Sequence, residues 1–184
     1  AILQAYLGGQ ETGNHIADIL TGHVNPSGKL AQTFPINYKD VPNASTFPGF
    51  DVNEDGKPDF ILNNEGIYVG YRYYTSFGVD VAFPFGHGLS YSDFVISNRK
   101  LTSLNPGATE NPLIGLEALV ENTGSSEGKE VVQVYIKAPQ NKLEKPVIEL
   151  KSFGKTRLLK SGESQRMKFS ISAESLASFD AVRN

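Results

Sequence analysis

Asp51-Val52-Asn53-Glu54-Asp55-Gly56-Lys57-Pro58-Asp59 is the stretch whose residue types and spacing come nearest to a defined chemistry. Asp51, Asn53, Asp55 and Asp59 place side-chain oxygens at the first, third, fifth and ninth positions of a calcium loop, with glycine at the sixth. A hard cation gathers many oxygens, and a tight turn at Gly56 would fold alternate side chains inward, the Lys57 carbonyl adding one more ligand. The twelfth position, where an EF-hand places a bidentate glutamate, is Leu62, and Glu65 follows three residues later. Pro58 also argues against an exit helix starting at once. Calcium is therefore expected in a helix-free DxNxDG loop rather than an EF-hand. The alternative is a plain solvated turn, because Asp, Asn and Gly are what any turn uses. Both readings stay open on the residues alone.

The remaining reactive side chains are sparse. His15, His23 and His87 have no HxxxH or HExxH spacing, which argues against zinc and leaves ordinary surface or capping roles. The chain has no cysteine, which excludes disulfides, thiolate metal sites and a cysteine nucleophile. Seventeen Lys and Arg against twenty Asp and Glu give a net charge of −3 over 184 residues. With no basic cluster, neither a nucleic-acid surface nor a polybasic membrane anchor is expected. The apolar runs are a few residues long, far short of the ~20 needed for a membrane span. An apolar fraction of 39% is enough for a core. Asn43-Ala44-Ser45 carries the N-glycosylation pattern.

The elements that would position these residues fall into three stretches. Residues 1–38 read as α/β: the end of a buried strand or the turn after it at 1–6, then a helix from Glu11 to Thr21. Ile16, Ile19 and Leu20 share one face of that helix, and Gly22 stops it. Asn25-Pro26-Ser27-Gly28 is a turn, and Lys29 to Phe34 an extended segment stopped by Pro35. Residues 39–97 read as a polar loop followed by an aromatic connector. Nine of the chain's nineteen aromatics lie between Tyr68 and Phe94. Sugar rings could stack on them, but packing is the reading adopted, since aromatics supply large apolar burial. Arg72 among the tyrosines is expected to make a cation–π contact or a carboxylate pair, Glu65 being a candidate partner. Residues 98–184 read as all-β, with strands at Leu113–Val120, Glu130–Ala138, Lys151–Leu159 and Gln165–Ile171. Met167, Phe169 and Ile171 share one face of the last. Short strands and turns at this spacing indicate an antiparallel sandwich.

Three ordered blocks resemble glycoside hydrolase family 3. The first is Gly9-Gln10-Glu11-Thr12-Gly13, continued by Ile16-Ala17-Asp18 and Asn25-Pro26-Ser27-Gly28-Lys29-Leu30. The second is Glu65-Gly66-Ile67-Tyr68-Val69-Gly70-Tyr71-Arg72-Tyr73-Tyr74 with Phe83-Pro84-Phe85-Gly86-His87-Gly88-Leu89-Ser90-Tyr91. The third, Glu121-Asn122-Thr123-Gly124 with Gly128 to Tyr135 and Pro146 to Phe153, is similar to the fibronectin type III-like domain of the β-glucosidase branch. Tyr6, Leu7 and Gly9 depart from the family's usual WYPGQE. The loop at 50–64 lies outside the resemblance.

The resemblance implies a fold: an α/β segment ending an α/β sandwich domain (1–38), a loop and aromatic connector (39–97), and a fibronectin type III-like, immunoglobulin-like sandwich (98–184) short of its last strands. It implies a retaining β-glucosidase or β-xylosidase acting on oligosaccharides, periplasmic or secreted. The family's nucleophilic aspartate and acid/base glutamate would both lie on upstream catalytic domains, before Ala1, so no catalytic residue is assigned here. The chemistry agrees. A retaining pair needs two carboxyls roughly 5–5.5 Å apart. Glu11 and Asp18, two turns apart on one helix, are about 10 Å apart by rise alone. The rival expectation is a non-catalytic carbohydrate- or cell-surface-binding module with a calcium-stiffened loop.

Overall fold

The computed structural model describes residues 2–103, 113–140 and 143–180. Ala1, and the final residues 181–184 read as lacking a closing strand, lie outside the described residues. The chain divides into two compact units, each assembled from separated stretches of sequence.

The first unit comprises Ala1–Gly28, Gly88–Val132 and Ser152–Ala177. Residues 2–9 carry no regular structure, so the expected strand end is absent there. Helix α1 (Thr12–Leu20) forms where the apolar spacing predicted it. Thr21 closes it by donating both its N–H and its hydroxyl to the Ala17 carbonyl. Gly22 follows at φ +80, the left-handed turn that a residue without Cβ adopts freely. None of its residues is buried, and Leu20 is 68% exposed.

The larger element of this unit is an antiparallel sheet in the order β3-β4-β7. Strand β3 is Phe94–Ser103, β4 Leu113–Asn122 and β7 Ser164–Ser172. Alternation on β4 and β7 sends Ala118, Val120, Met167, Phe169 and Ile171 to one buried face, joined by Val132 and Leu159. On the opposite face Lys100, Glu117 and Lys168 lie side by side in register, and Glu117 pairs with Lys168 at 3.2 Å and Arg166 at 3.4 Å.

Strand β3 was not anticipated. It begins at Phe94, inside the stretch read as connector, and its alternation is broken by a bulge between Ser97 and Lys100. Asn98 there takes φ +48. The strand expected over 151–159 is β6 (Glu149–Lys155); Leu159 makes only an isolated bridge to Gly128. Strands β5 (Val131–Ile136) and β6 form a separate two-stranded sheet.

The second unit comprises Lys29–His87, Gln133–Lys151 and Ser178–Asn184. Its short sheet pairs β1 (Phe34–Pro35) with β2 (Val81–Phe83), so Pro35 lies within the pairing rather than ending the extended segment before it. The aromatic connector contains a helix the sequence did not reveal, α2 (Tyr71–Phe77), flanked by Gly70 and Gly78. Tyr74 on its inner face is buried.

Candidate functional site

The carboxylates of α1 serve local contacts. Glu11 accepts a hydrogen bond from the Asn14 amide at 2.7 Å. Asp18 lies 3.9 Å from His23 Nδ1, which also meets the Thr21 hydroxyl at 3.1 Å. The His87 ring lies 5.6 Å from that of Phe83, and its carbonyl receives the Leu30 N–H.

The loop at 51–59 is exposed and held by its own side chains. Asp51 accepts from the N–H groups of Asp55 (3.2 Å) and Gly56 (2.8 Å). Asn53 Oδ1 accepts from Asp55 N–H, and Asp55 Oδ1 from Lys57 N–H. Asp59 accepts from the N–H groups of Val52 and Asn53 and from the Asn53 amide. The donor set is chemically suited to calcium, all oxygen, with lone pairs left on each carboxylate. Yet among the described residues no three His, Asp or Glu side chains are gathered closely enough to hold a metal ion. The carboxylates of Asp51, Asp55 and Asp59 each face backbone N–H groups of the turn rather than a common centre, and the Lys57 residue enters through its N–H.

The aromatic connector builds the most developed surface feature of the second unit. Tyr71 stacks on Phe85 (centroids 4.8 Å apart) and meets Tyr135 edge-on, while its hydroxyl oxygen accepts the Leu150 N–H at 2.7 Å. Tyr68 and Tyr73 both pack on Phe77. Arg72 pairs with Glu149 at 3.2 Å, and Lys151 reaches the other oxygen of the same carboxylate at 3.4 Å. The expected Arg72–Glu65 pair is therefore corrected: Glu65 takes the Asn43 amide instead. Glu149 was missed because nothing in a linear sequence marks a partner so distant. These groups wall a groove of about 620 Å³, lined by Tyr68, Tyr71, Arg72, Tyr74, Asn43 and Glu65 among others. A second hollow of about 500 Å³ lies against Tyr71, Tyr135 and Gln133.

Electrostatics decide what this surface can do. A glycosidic general acid needs a carboxyl whose surroundings keep it protonated near neutral pH. Among the described residues, the carboxyls whose titration is perturbed all move the other way. The Asn43 amide holds Glu65 below its ordinary value; Lys168 does so for Glu117; the Lys160 N–H and then Arg157 do so for Glu163. The Tyr68 phenol is raised by its hydrogen bond to Glu144, and those of Tyr74 and Tyr135 by burial. All three remain neutral hydrogen-bonding groups. The connector's aromatic rings thus pack on one another, and its perturbed carboxyl, Glu65, is held ionised by the Asn43 amide.

In the first unit two asparagines tie separated stretches of sequence together. Asn25 Oδ1 accepts from the Ser90 hydroxyl and the Tyr91 N–H, both at 2.8 Å, and its amide donates to the Glu127 carbonyl at 3.0 Å. Asn122 is fully buried and makes four side-chain hydrogen bonds. It accepts from the Ser92 hydroxyl (2.7 Å) and the Gly124 N–H (3.1 Å), and donates to the carbonyls of Ser126 (2.8 Å) and Leu159 (2.9 Å). Gly124 is required beside it, since a Cβ there would stand 2.3 Å from the Ser92 hydroxyl oxygen.

Comparison with known proteins accounts for these blocks. Residues 1–91 match the glycosyl hydrolase family 3 C-terminal domain, and residues 130–184 the fibronectin type III-like domain. The chain is 40% identical over 180 residues to thermostable beta-glucosidase B of Acetivibrio thermocellus, covering 98% of this chain and 22% of that protein. It is 40% identical to beta-glucosidase A of Butyrivibrio fibrisolvens, covering 98% of this chain and 22% of that protein. Among solved structures it superposes on beta-glucosidase 3B of Thermotoga neapolitana in complex with glucose with a TM-score of 0.83 and 48% identity, over 93% of this chain and 22% of that one. It superposes on a Bifidobacterium adolescentis GH3 beta-glucosidase with a TM-score of 0.84 and 35% identity, over 97% of this chain and 24% of that one. The chain thus spans less than a quarter of the length of these relatives. It belongs to glycosyl hydrolase family 3, carrying that family's C-terminal domain followed by a fibronectin type III-like domain.

Proposed function

We propose that this chain is the C-terminal, scaffolding part of a retaining β-glycosidase of β-glucosidase or β-xylosidase type, which removes terminal β-linked sugars from oligosaccharides. The nucleophile and the acid/base belong to domains upstream of it. The observation that carries this reading is the pairing of near-complete coverage of the chain with coverage of only 22% of a beta-glucosidase relative. The downward shifts of Glu65, Glu117 and Glu163 support it from the chemical side, because a carboxyl held ionised cannot serve as the acid. The work of the chain is then to hold its own blocks in register through Asn25, Asn122 and the Tyr71–Arg72 corner, so that the catalytic domains have a rigid neighbour.

The test is hydrolysis of an aryl β-glucoside. The full-length enzyme should turn over, and the 184-residue chain alone should not. Turnover by the chain alone, abolished by replacing one of its own carboxylates, would place the catalyst here and sink the reading.

We also propose a periplasmic or secreted location, and a structural calcium ion at Asp51, Asn53, Asp55, Lys57 and Asp59. The support for calcium is the ligand spacing alone.

A further inference from the structure

The N-glycosylation pattern Asn43-Ala44-Ser45 has no part in the function argued above, and the structure gives its acceptor nitrogen other work. Asn43 Nδ2 donates to Glu65 Oε2 and to Asn63 Oδ1, the latter at 3.3 Å. Its side-chain oxygen accepts from the Asn64 N–H at 3.4 Å. Its carbonyl receives the N–H groups of Thr46 and Phe47, both at 3.1 Å, which fixes the turn that follows. Every polar group of the Asn43 carboxamide is therefore spent on residues 63–65, and the residue is only part-exposed. Ser45, the third residue of the pattern, is exposed.

We propose that Asn43 is a latch closing the loop between residues 44 and 62, and that a glycan on the same nitrogen is incompatible with the closed loop. In N-glycosylation the amide nitrogen forms a bond to the anomeric carbon of a lipid-pyrophosphate-linked oligosaccharide. The pyrophosphate leaves with the bonding electrons, and the amide gives up one of its two protons. One N–H then remains for two acceptors, and the sugar occupies the space in which Glu65 and Asn63 meet the nitrogen. Glu65 opens the segment leading into α2, so the latch also sets where that segment starts.

The experiment uses the full-length protein and limited thermolysin digestion, which cuts before apolar residues such as Phe60, Ile61 and Leu62. Produced in bacteria, Asn43→Gln should be cut within 44–62 about tenfold faster than wild type, with an unchanged midpoint of global unfolding. Equal rates overturn the latch. Produced in a secreting yeast, any fraction whose Asn43 peptide carries a glycan by mass should be cut at the fast rate. Ser45→Ala, which removes the pattern and leaves the latch, should be cut at the wild-type rate. A glycosylated fraction as protected as Ser45→Ala overturns the incompatibility. Where no glycan is found at Asn43, the bacterial comparison alone decides.

Discussion

The Asn25 side-chain oxygen accepts the Ser90 hydroxyl at 2.8 Å, joining the turn after α1 to the segment that leads into β3. The same oxygen takes the Tyr91 N–H, and the Tyr91 hydroxyl reaches back to the Ile19 carbonyl at 2.9 Å. One carboxamide thereby holds two blocks of sequence that are far apart along the chain. Asn25→Ala should cost about 1–2 kcal/mol in chemical denaturation, since three hydrogen bonds go and one of them, to the Ser90 hydroxyl, is part-shielded from water. Asn25→Asp keeps the acceptor and should cost about 1 kcal/mol.

Asn122 should be the least replaceable polar side chain of the first unit. Asn122→Ala leaves the buried Ser92 hydroxyl without its acceptor and takes a donor from the carbonyls of Ser126 and Leu159, the latter keeping the Gly128 N–H. We expect a loss of about 2–4 kcal/mol, read from the denaturant midpoint at constant slope. Asn122→Leu should not restore it, which would separate lost hydrogen bonds from lost volume.

The Arg72–Glu149 pair is partly shielded, with side chains 37% and 20% exposed. A double-mutant cycle with Arg72→Met and Glu149→Gln should return a coupling of about 0.5–1 kcal/mol. Repeating it with Glu65→Gln in place of Glu149→Gln should return a coupling near zero.

Acid should weaken the fold through Glu117 and Glu163, whose folded-state values lie below the ordinary 4.5. A group with a depressed folded value adds stability above its unfolded value and loses it as the pH falls through the folded one. Stability should therefore hold from neutral pH down to the ordinary carboxylate value and decline below it. Glu163→Gln should make the decline shallower; an unchanged acid limb would remove Glu163 from the account.

Calcium should raise the melting temperature of the wild-type chain by mass action, about 2.7 kcal/mol at a hundredfold excess over the dissociation constant. Asp51→Ala or Asp55→Ala should remove the gain. A wild-type chain indifferent to calcium would leave 51–59 as the hydrogen-bonded turn already described.

Some of this architecture was legible in the residues, for physical reasons. Strand β7 announced itself because Met167, Phe169 and Ile171 alternate with polar residues, and all three are buried. Helix α1 did so because its apolar spacing and Gly22 agree. Strand β3 was hidden by its bulge and its exposed edge position, where Val95 and Leu101 face solvent and no clean alternation survives. Helix α2 was hidden because its seven residues are largely tyrosine and phenylalanine, which have modest helix propensity and read equally well as strand. Arg72 reads equally as a cation–π or a carboxylate partner in the sequence, where proximity points to Glu65, and only the fold brings Glu149 to it. The metal reading of 51–59 rested on spacing, and the same spacing suits a turn whose side chains cap its own backbone.

The bridge between Phe50 and Phe60 has a practical side. Phe50 N–H donates to the Phe60 carbonyl at 2.9 Å, Asp59 N–H donates to the Phe50 carbonyl at 2.8 Å, and the two rings stack with centroids 5.3 Å apart. The two ends of this loop are thus clamped together at its base, and residues 51–59 between them are exposed. Such a base acts as a socket: an epitope, a fluorophore-binding peptide or a purification handle spliced between Asp51 and Asp59 would hang from it with its ends already held together.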